Sequence, residues 1–135
     1  MVLYYLRVMK RYLTNYPLTL LVIAVITFLS LFNPPETKLD TITNIDKLAH
    51  LCMYAGLEVI LWLEYLKHHR SLSTLKILLL AILAPILFGG LIELAQMSLT
   101  ETRSGDCIDF LSDSLGVFLG AAFGYFVIRP LVWKR

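Results

Sequence analysis

Residues 75–99 read LKILLLAILAPILFGGLIELAQMSL. Apart from Lys76 near the start and Glu93 near the end, the stretch carries no charge. A helix needs about 20 mainly apolar residues to cross a hydrocarbon core of roughly 30 Å, and this segment meets that demand. Three further blocks of the same kind lie around it. One falls within residues 14–33 and is strongest in PLTLLVIAVITFLSLF at 17–32. The others are LAHLCMYAGLEVILWLEYL at 48–66 and IDFLSDSLGVFLGAAFGYFVI at 108–128. All are continuous rather than alternating, which argues for helices and against a β-barrel. The expected fold is all-α, an integral membrane four-helix bundle in which residues 1–135 form a single domain.

The composition agrees. The chain has 135 residues, of which 58% are hydrophobic and 16% charged, with a mean hydropathy of +0.72. Soluble domains carry roughly 25% charged residues, and a small soluble domain has much surface to cover. Disorder, a collagenous repeat and a disulfide scaffold are excluded on the same grounds. A net charge of +2 is too small to suggest a nucleic-acid partner.

Lysines and arginines set the expected orientation. Of 12 such residues, nine fall on one side: Arg7, Lys10, Arg11, Lys67, Arg70, Lys76, Arg129, Lys134 and Arg135. Lys38, Lys47 and Arg103 fall on the other, among Glu36, Asp40, Asp46, Glu101 and Asp106. Both termini are therefore expected in the cytoplasm, with the 33–47 and 99–107 loops outside. The N-terminal arm resembles the charged front of a secretory signal, but Asn33-Pro34-Pro35 offers no small-residue cleavage site, so an uncleaved anchor is expected. Leu3, Leu6, Met9 and Leu13 can share one side of a helix while Arg7, Lys10 and Arg11 meet headgroups. The arm is read either as such an interfacial helix or as an extension of the first span.

Gly116, Gly120 and Gly124 recur every four residues, with Ala121 beside them, a spacing that lets another backbone approach closely. An intramolecular seam and a homodimer face are the two readings. Pro85 in mid-span, followed by Gly89-Gly90, predicts a kink. Cys52 and Cys107, both near outward helix ends, are expected to be free, buried thiols, with a disulfide between them as the alternative.

Ionisable groups within a span are costly, about 2.5–3.5 kcal/mol each on insertion scales, and mark candidate sites. Here Asp46, Lys47, His50 and Tyr54 open the second span, Glu93 and Gln96 close the third, and Arg103, Asp106, Asp109 and Asp113 lead into the fourth. Asp46 and His50, like Asp109 and Asp113, are four residues apart and share a helix face. With the topology above, these groups reach one level near the outer face and form an outward-opening polar site. Each also has a structural role open to it. Thr43-x-x-Asp46 is a capping-box pattern, Lys47 can snorkel, and Glu93 and Arg103 can pair. Asp106 and Asp109 can oppose a helix dipole. Glu58 and Glu64 belong to no motif, and Glu64 is expected at the inner interface.

Asp46-Lys47-x-x-His50-x-x-x-Tyr54, Glu93-x-x-Gln96 and Arg103-x-x-Asp106-x-x-Asp109, followed by Gly116 and Gly120, resemble the VanZ-like family over about residues 44–124. The resemblance implies a small protein of the bacterial cytoplasmic membrane. Some members are associated with resistance to teicoplanin, a glycopeptide antibiotic, and no settled activity comes with the family. Asp113 departs from the pattern: many relatives carry Asn there, and the change adds a negative charge.

The leading functional expectation is a site for the headgroup of an amphiphile (a lipid, a lipid-linked envelope precursor or a glycopeptide). Lys47 and Arg103 would take its anionic groups, and the carboxylates its amines or hydroxyls. Catalysis by the same cluster is the alternative, with His50, Glu93 and Asp109 as candidate acid and base groups of a hydrolase or transferase. Binding of another membrane protein is a third reading, and ion transport, with Glu58 as its deep candidate, a fourth. No cofactor is expected. A divalent cation held by Glu93, Asp106, Asp109 and Asp113 is the minor reading; neither HExxH nor paired-cysteine spacing occurs, so no metal is the leading expectation.

Overall fold

The computed structural model describes residues 1–32, 42–100 and 105–134. Their regular structure is entirely helical: α1 (Val2–Asn15), α2 (Pro17–Leu31), α3 (Ile45–His68), α4 (Thr74–Leu99) and α5 (Cys107–Trp133). Helices α3, α4 and α5, of 24, 26 and 27 residues, are long and apolar enough to cross a membrane. Helix α2 has 15 residues, about 22 Å at 1.5 Å per residue, and reaches span length only together with α1.

The α1–α2 pair is sharply bent, by 83°. The cause is Pro17, which stands at the first position of α2. Its ring would clash with the carbonyl four residues back and it has no N–H to donate, so α1 stops before it. A straight extension of the first span through the arm is thereby excluded. No residue of α1 is buried.

The start of α2 is held by a residue that no motif singles out. Glu64, on α3, accepts the backbone N–H of Leu18 at 2.9 Å, the N–H of Thr19 at 3.0 Å and the Thr19 hydroxyl at 2.7 Å. The first N–H groups of a helix have no partner within it and carry its positive dipole end, so a carboxylate completes them. At the other end of α2, the Gln96 side-chain amide of α4 donates to the Ser30 carbonyl at 2.9 Å. Polar contacts at both ends thus fix α2 in register.

Helices α3 and α5 run side by side in the same direction. A Cβ at Gly116 would overlap the Leu51 carbonyl oxygen and lie 3.1 Å from the Ala55 nitrogen. At Gly120 it would overlap Glu58 Cβ and lie 2.8 Å from the Ala55 carbonyl oxygen, and at Gly124 it would meet the Trp62 ring. The glycines serve a seam within the chain, and a homodimer face through them is excluded by the same contacts. Two apolar clusters fill the interior, one around Ile26, Tyr54, Leu57 and Val117, the other around Tyr16, Trp62, Tyr65 and Ile128.

The proline in α4 widens the helix. Residues Ile77–Leu83 form π turns, ending with the Ala84 N–H on the Leu79 carbonyl five residues back, just before Pro85. The same occurs in α5, where Gly124–Ile128 is π-helical and ends one residue before the Arg129-Pro130 step. Widened turns relieve the clash of a proline ring with the preceding turn. They also let α5 run to Trp133, past the expected end at 128.

The outside of the molecule is apolar: Leu87, Leu91 and Leu94 of α4 and Leu111, Leu115 and Phe118 of α5 are exposed. His50, Glu58, Glu93, Asp109 and Asp113 are buried. This inverts a soluble protein, and three to four apolar helices fit a multi-pass membrane protein. Cys52 and Cys107 are free but exposed, not buried as expected. Cys52 lies on the outward face with Leu48, opposite Tyr54, and Cys107 lies beside exposed Ile108.

Gly120→Val should lower the thermal midpoint in detergent, by an amount equivalent to about 1–3 kcal/mol of overpacking. Gly56→Ala, in a helix interior where an added Cβ meets nothing within 4 Å, should leave it unchanged or raise it by an amount equivalent to up to about 1 kcal/mol. Differential scanning fluorimetry on both variants checks the pair.

Candidate functional site

Three helices bring their charged residues together at one end of the molecule. Helix α3 contributes the turn from Asp46 to His50, α4 its last turns with Glu93, and α5 its first turns with Asp106, Asp109 and Asp113. The parallel packing of α3 and α5 sets the register. It puts His50 against Asp113, with a 2.9 Å hydrogen bond from the imidazole Nδ1 to the carboxylate Oδ1. Glu93 Oε1 lies 3.8 Å from the same nitrogen. On the other side of the ring, Nε2 lies 4.0 Å from Asp46 Oδ1.

Gly105 joins α4 to this cluster. A Cβ on it would overlap the Glu93 carbonyl oxygen and lie 2.5 Å from the Met97 side chain. Without one, the chain passes close over α4, and the Asp106 N–H donates to Glu93 Oε2 at 3.0 Å. Asp106 then starts α5 as its cap, its carboxylate accepting the Ile108 N–H at 3.0 Å. Asp106, expected only to oppose the helix dipole, is thus the side-chain cap of this helix. A capping box at Thr43 is not formed: α3 begins after Asn44, which has φ 64°, and no side chain caps it. Asn tolerates this left-handed conformation, which puts Asp46 in the first turn of α3.

Lys47 does not snorkel away. Its Nζ lies 3.7 Å from Asp109 Oδ1 and 4.0 Å from Asp106 Oδ2, bridging α3 to α5. Burial increases steadily along the cluster. The Asp46 and Asp106 side chains are 53% and 43% exposed and Lys47 31%, whereas Asp109 is 9%, Glu93 8%, His50 2% and Asp113 0%. Tyr54 closes the inner end, fully buried, its ring 5.9 Å from that of Phe88. The site is therefore a graded path from the molecule's end to its interior.

Among the described residues, Asp46, Glu93, Asp106, Asp109 and Asp113 face one amine and one imidazole. Several inner atoms have no hydrogen-bond partner: Glu93 Oε1, Asp113 Oδ2 and the Tyr54 hydroxyl. Buried polar atoms are rarely left so.

Of the ten expected ligand-binding residues, eight converge: Asp46, Lys47, His50, Tyr54, Glu93, Asp106, Asp109 and Asp113. Gln96 is turned to α2 through its bond with Ser30. Arg103 lies outside the described residues, and with it the expected Glu93–Arg103 pair. Sequence reasoning missed Gly105, whose signal was its place directly before a capping Asp. Glu58, in no motif and expected only as the deep candidate for ion transport, lies away from the cluster. That side chain is fully buried beside Gly120, and neither carboxylate oxygen has a hydrogen-bond partner.

Away from this end, α1, α2, α3 and α4 border a half-open apolar cavity of about 300 Å³, lined among others by Ile23, Leu57, Leu61, Leu80, Pro85 and Phe88. Phe88, at its upper end, packs on Tyr54, so the cavity begins where the charged cluster stops.

Comparison with models of protein families, with curated proteins and with solved structures gives no match.

Asp113→Ala should destabilise the protein by about 1–3 kcal/mol, because it leaves the His50 Nδ1–H buried without an acceptor. Lys47→Ala, which removes only a partly exposed pair, should cost less than about 1 kcal/mol. Denaturation midpoints in detergent, with Asp113→Asn as the variant that keeps an acceptor, measure the difference.

Proposed function

We propose that the chain is a four-helix bundle of the VanZ-like kind in a bacterial cytoplasmic membrane, and that its charged cluster binds the headgroup of an amphiphile from the extracytoplasmic side. The observation that carries this reading is the junction of two unlike surfaces at Tyr54 and Phe88. A graded polar path lies on one side of it and an apolar cavity on the other. A ligand with a charged or hydroxylated head and a hydrocarbon tail matches both. The head would meet Lys47, Arg103 and the carboxylates, and the tail would lie against Ile23, Leu61 and Leu80.

The orientation rests on the excess of lysine and arginine at the opposite end. That end also carries an aromatic belt. Arg129 lies 4.4 Å from the centre of the Tyr125 ring and 5.9 Å from that of Trp133, the combination common at a membrane interface. In this placement α1, bent away from α2, lies along the inner surface with Arg7, Lys10 and Arg11 at the headgroups, and the short α2 is accommodated by local thinning of the bilayer. A lipid or lipid-linked envelope precursor is the partner, and no nucleic acid is involved.

Catalysis is the second reading, favoured by one contact. The Asp113 bond to Nδ1 orients the His50 ring and leaves Nε2 available as a base, with Glu93 and Asp109 within the same cluster. Turnover that disappears in His50→Ala while lipid retention persists would favour it.

Native mass spectrometry of the purified protein should show a retained lipid or glycolipid. Arg103→Ala and Asp109→Ala should each reduce that retention by tenfold or more while helicity is kept. Protein that carries no amphiphile, or variants that retain it unchanged, would remove this function.

A further inference from the structure

We propose that His50, Glu93 and Asp113 form the binding site of a divalent transition-metal ion of the Zn2+ or Mn2+ type. One ligand atom from each lies within 4.8 Å of the other two, and all three residues are buried. The individual separations suit a shared ion. His50 Nδ1 is 2.9 Å from Asp113 Oδ1 and 3.8 Å from Glu93 Oε1. Nitrogen and oxygen ligands held about 2.0–2.2 Å from a metal stand about 3–3.5 Å apart in tetrahedral or octahedral geometry. Small side-chain rotations bring both distances to that value.

A second observation points to a ligand independently of the acidic character of the cluster. The side chains around this point are left with unmet hydrogen-bonding capacity. The Tyr54 hydroxyl, one helical turn below His50 and within the field of Asp113 and Glu93, has no partner among the described residues although it is fully buried. Asp113 Oδ2 and Glu93 Oε1 have none either. An ion, with the water molecules that complete its coordination, satisfies all three groups at once. It also offsets the charge of five carboxylates that, among the described residues, face only the Lys47 amine and the His50 ring.

The surroundings are those of a metal ligand set. Glu93 is oriented by its other oxygen, which accepts the Asp106 N–H at 3.0 Å, so Oε1 faces the imidazole. When Nδ1 binds the ion, it gives up its proton and the ring carries its hydrogen on Nε2. That hydrogen faces Asp46 Oδ1, at 4.0 Å in the present structure. A carboxylate behind the ligating histidine holds the tautomer and orients the ring. One imidazole with two carboxylates favours Zn2+ or Mn2+ over Mg2+ or Ca2+, which take oxygen ligands. Sequence spacing could not announce the trio, since each member sits on a different helix.

The metal site stands on these side chains alone. The use of the ion rests on the function proposed above: a cation at the inner end of an acidic path would let that path hold a phosphate or carboxylate headgroup.

The test uses the full chain, tag-free and chelator-treated, in detergent without added lipid, with Cys52 and Cys107 replaced by Ala so that no thiol competes. Isothermal titration with ZnCl2 and MnCl2 should show one ion per chain with micromolar or tighter affinity. Glu93→Gln and Asp113→Asn should each weaken it tenfold or more, and MgCl2 should give no comparable binding. Should a variant lose its helicity, Co2+ added to the unmutated histidines and carboxylates decides. Paramagnetic shifts should appear on the His50 ring and not on His68 or His69. Absence of Zn2+ and Mn2+ binding, affinity unchanged in both folded variants, or shifts confined to His68 and His69 would each overturn the site. Lipid retention is read separately, so a protein that binds the ion but no amphiphile refutes only the function, and the reverse result only the metal site.

Discussion

The hydrogen bond between His50 and Asp113 joins two side chains with almost no access to solvent, one from each of the two helices that pack most closely. Neither group is stable in an apolar interior without the other, because a buried polar group without a partner costs about 1–3 kcal/mol or more. The bond therefore constrains α3 and α5 to one register. That register is the one the glycines permit, since Gly116 and Gly120 allow the two backbones to approach at Leu51 and Ala55. Small residues and a polar pair thus act on the same interface. The first provides close contact where lipid gives no hydrophobic drive, and the second specifies which contact forms.

The remaining polar contacts extend that arrangement. Lys47 ties α3 to the first turn of α5. Glu93 draws α4 to the same point through the Asp106 N–H, and Gly105 makes the approach possible. Away from the cluster, Glu64 and Gln96 hold the two ends of α2. Every helix from α2 to α5 is therefore located by a buried side-chain bond, in a protein whose outer surface is leucine and phenylalanine.

The three long helices were legible in the sequence because apolar length is a one-dimensional property. The charged residues were legible for the opposite reason, since an Asp or His inside such a run stands out by its cost. Their convergence followed from depth: Asp46 and Asp109 lie at the starts of their helices and Glu93 toward the end of the antiparallel α4, all on one side of the bundle. What the sequence did not reveal depends on contacts between distant segments. Glu64 reads as an interfacial charge until the N-terminus of α2 is placed against it. Gln96 falls into a site motif by spacing, yet faces α2. The exposure of Cys52 depends on the direction in which α3 is turned, which helical spacing alone leaves open. The bend at Pro17 lies between these cases. Pro17 carried the signal for a break, which the two readings of the arm did not use, and packing against Glu64 fixes where α2 begins.

Zero-length carbodiimide coupling tests most directly whether the charged groups of different helices meet. The account places the Lys47 amine within 4.0 Å of the carboxylates of Asp106 and Asp109. Coupling of the intact protein in detergent, followed by proteolysis and mass spectrometry, should yield an isopeptide between Lys47 and Asp109 or Asp106 within one chain. Lys47 left unlinked to α5, or joined only to carboxylates of another copy, would contradict the convergence on which the candidate site depends.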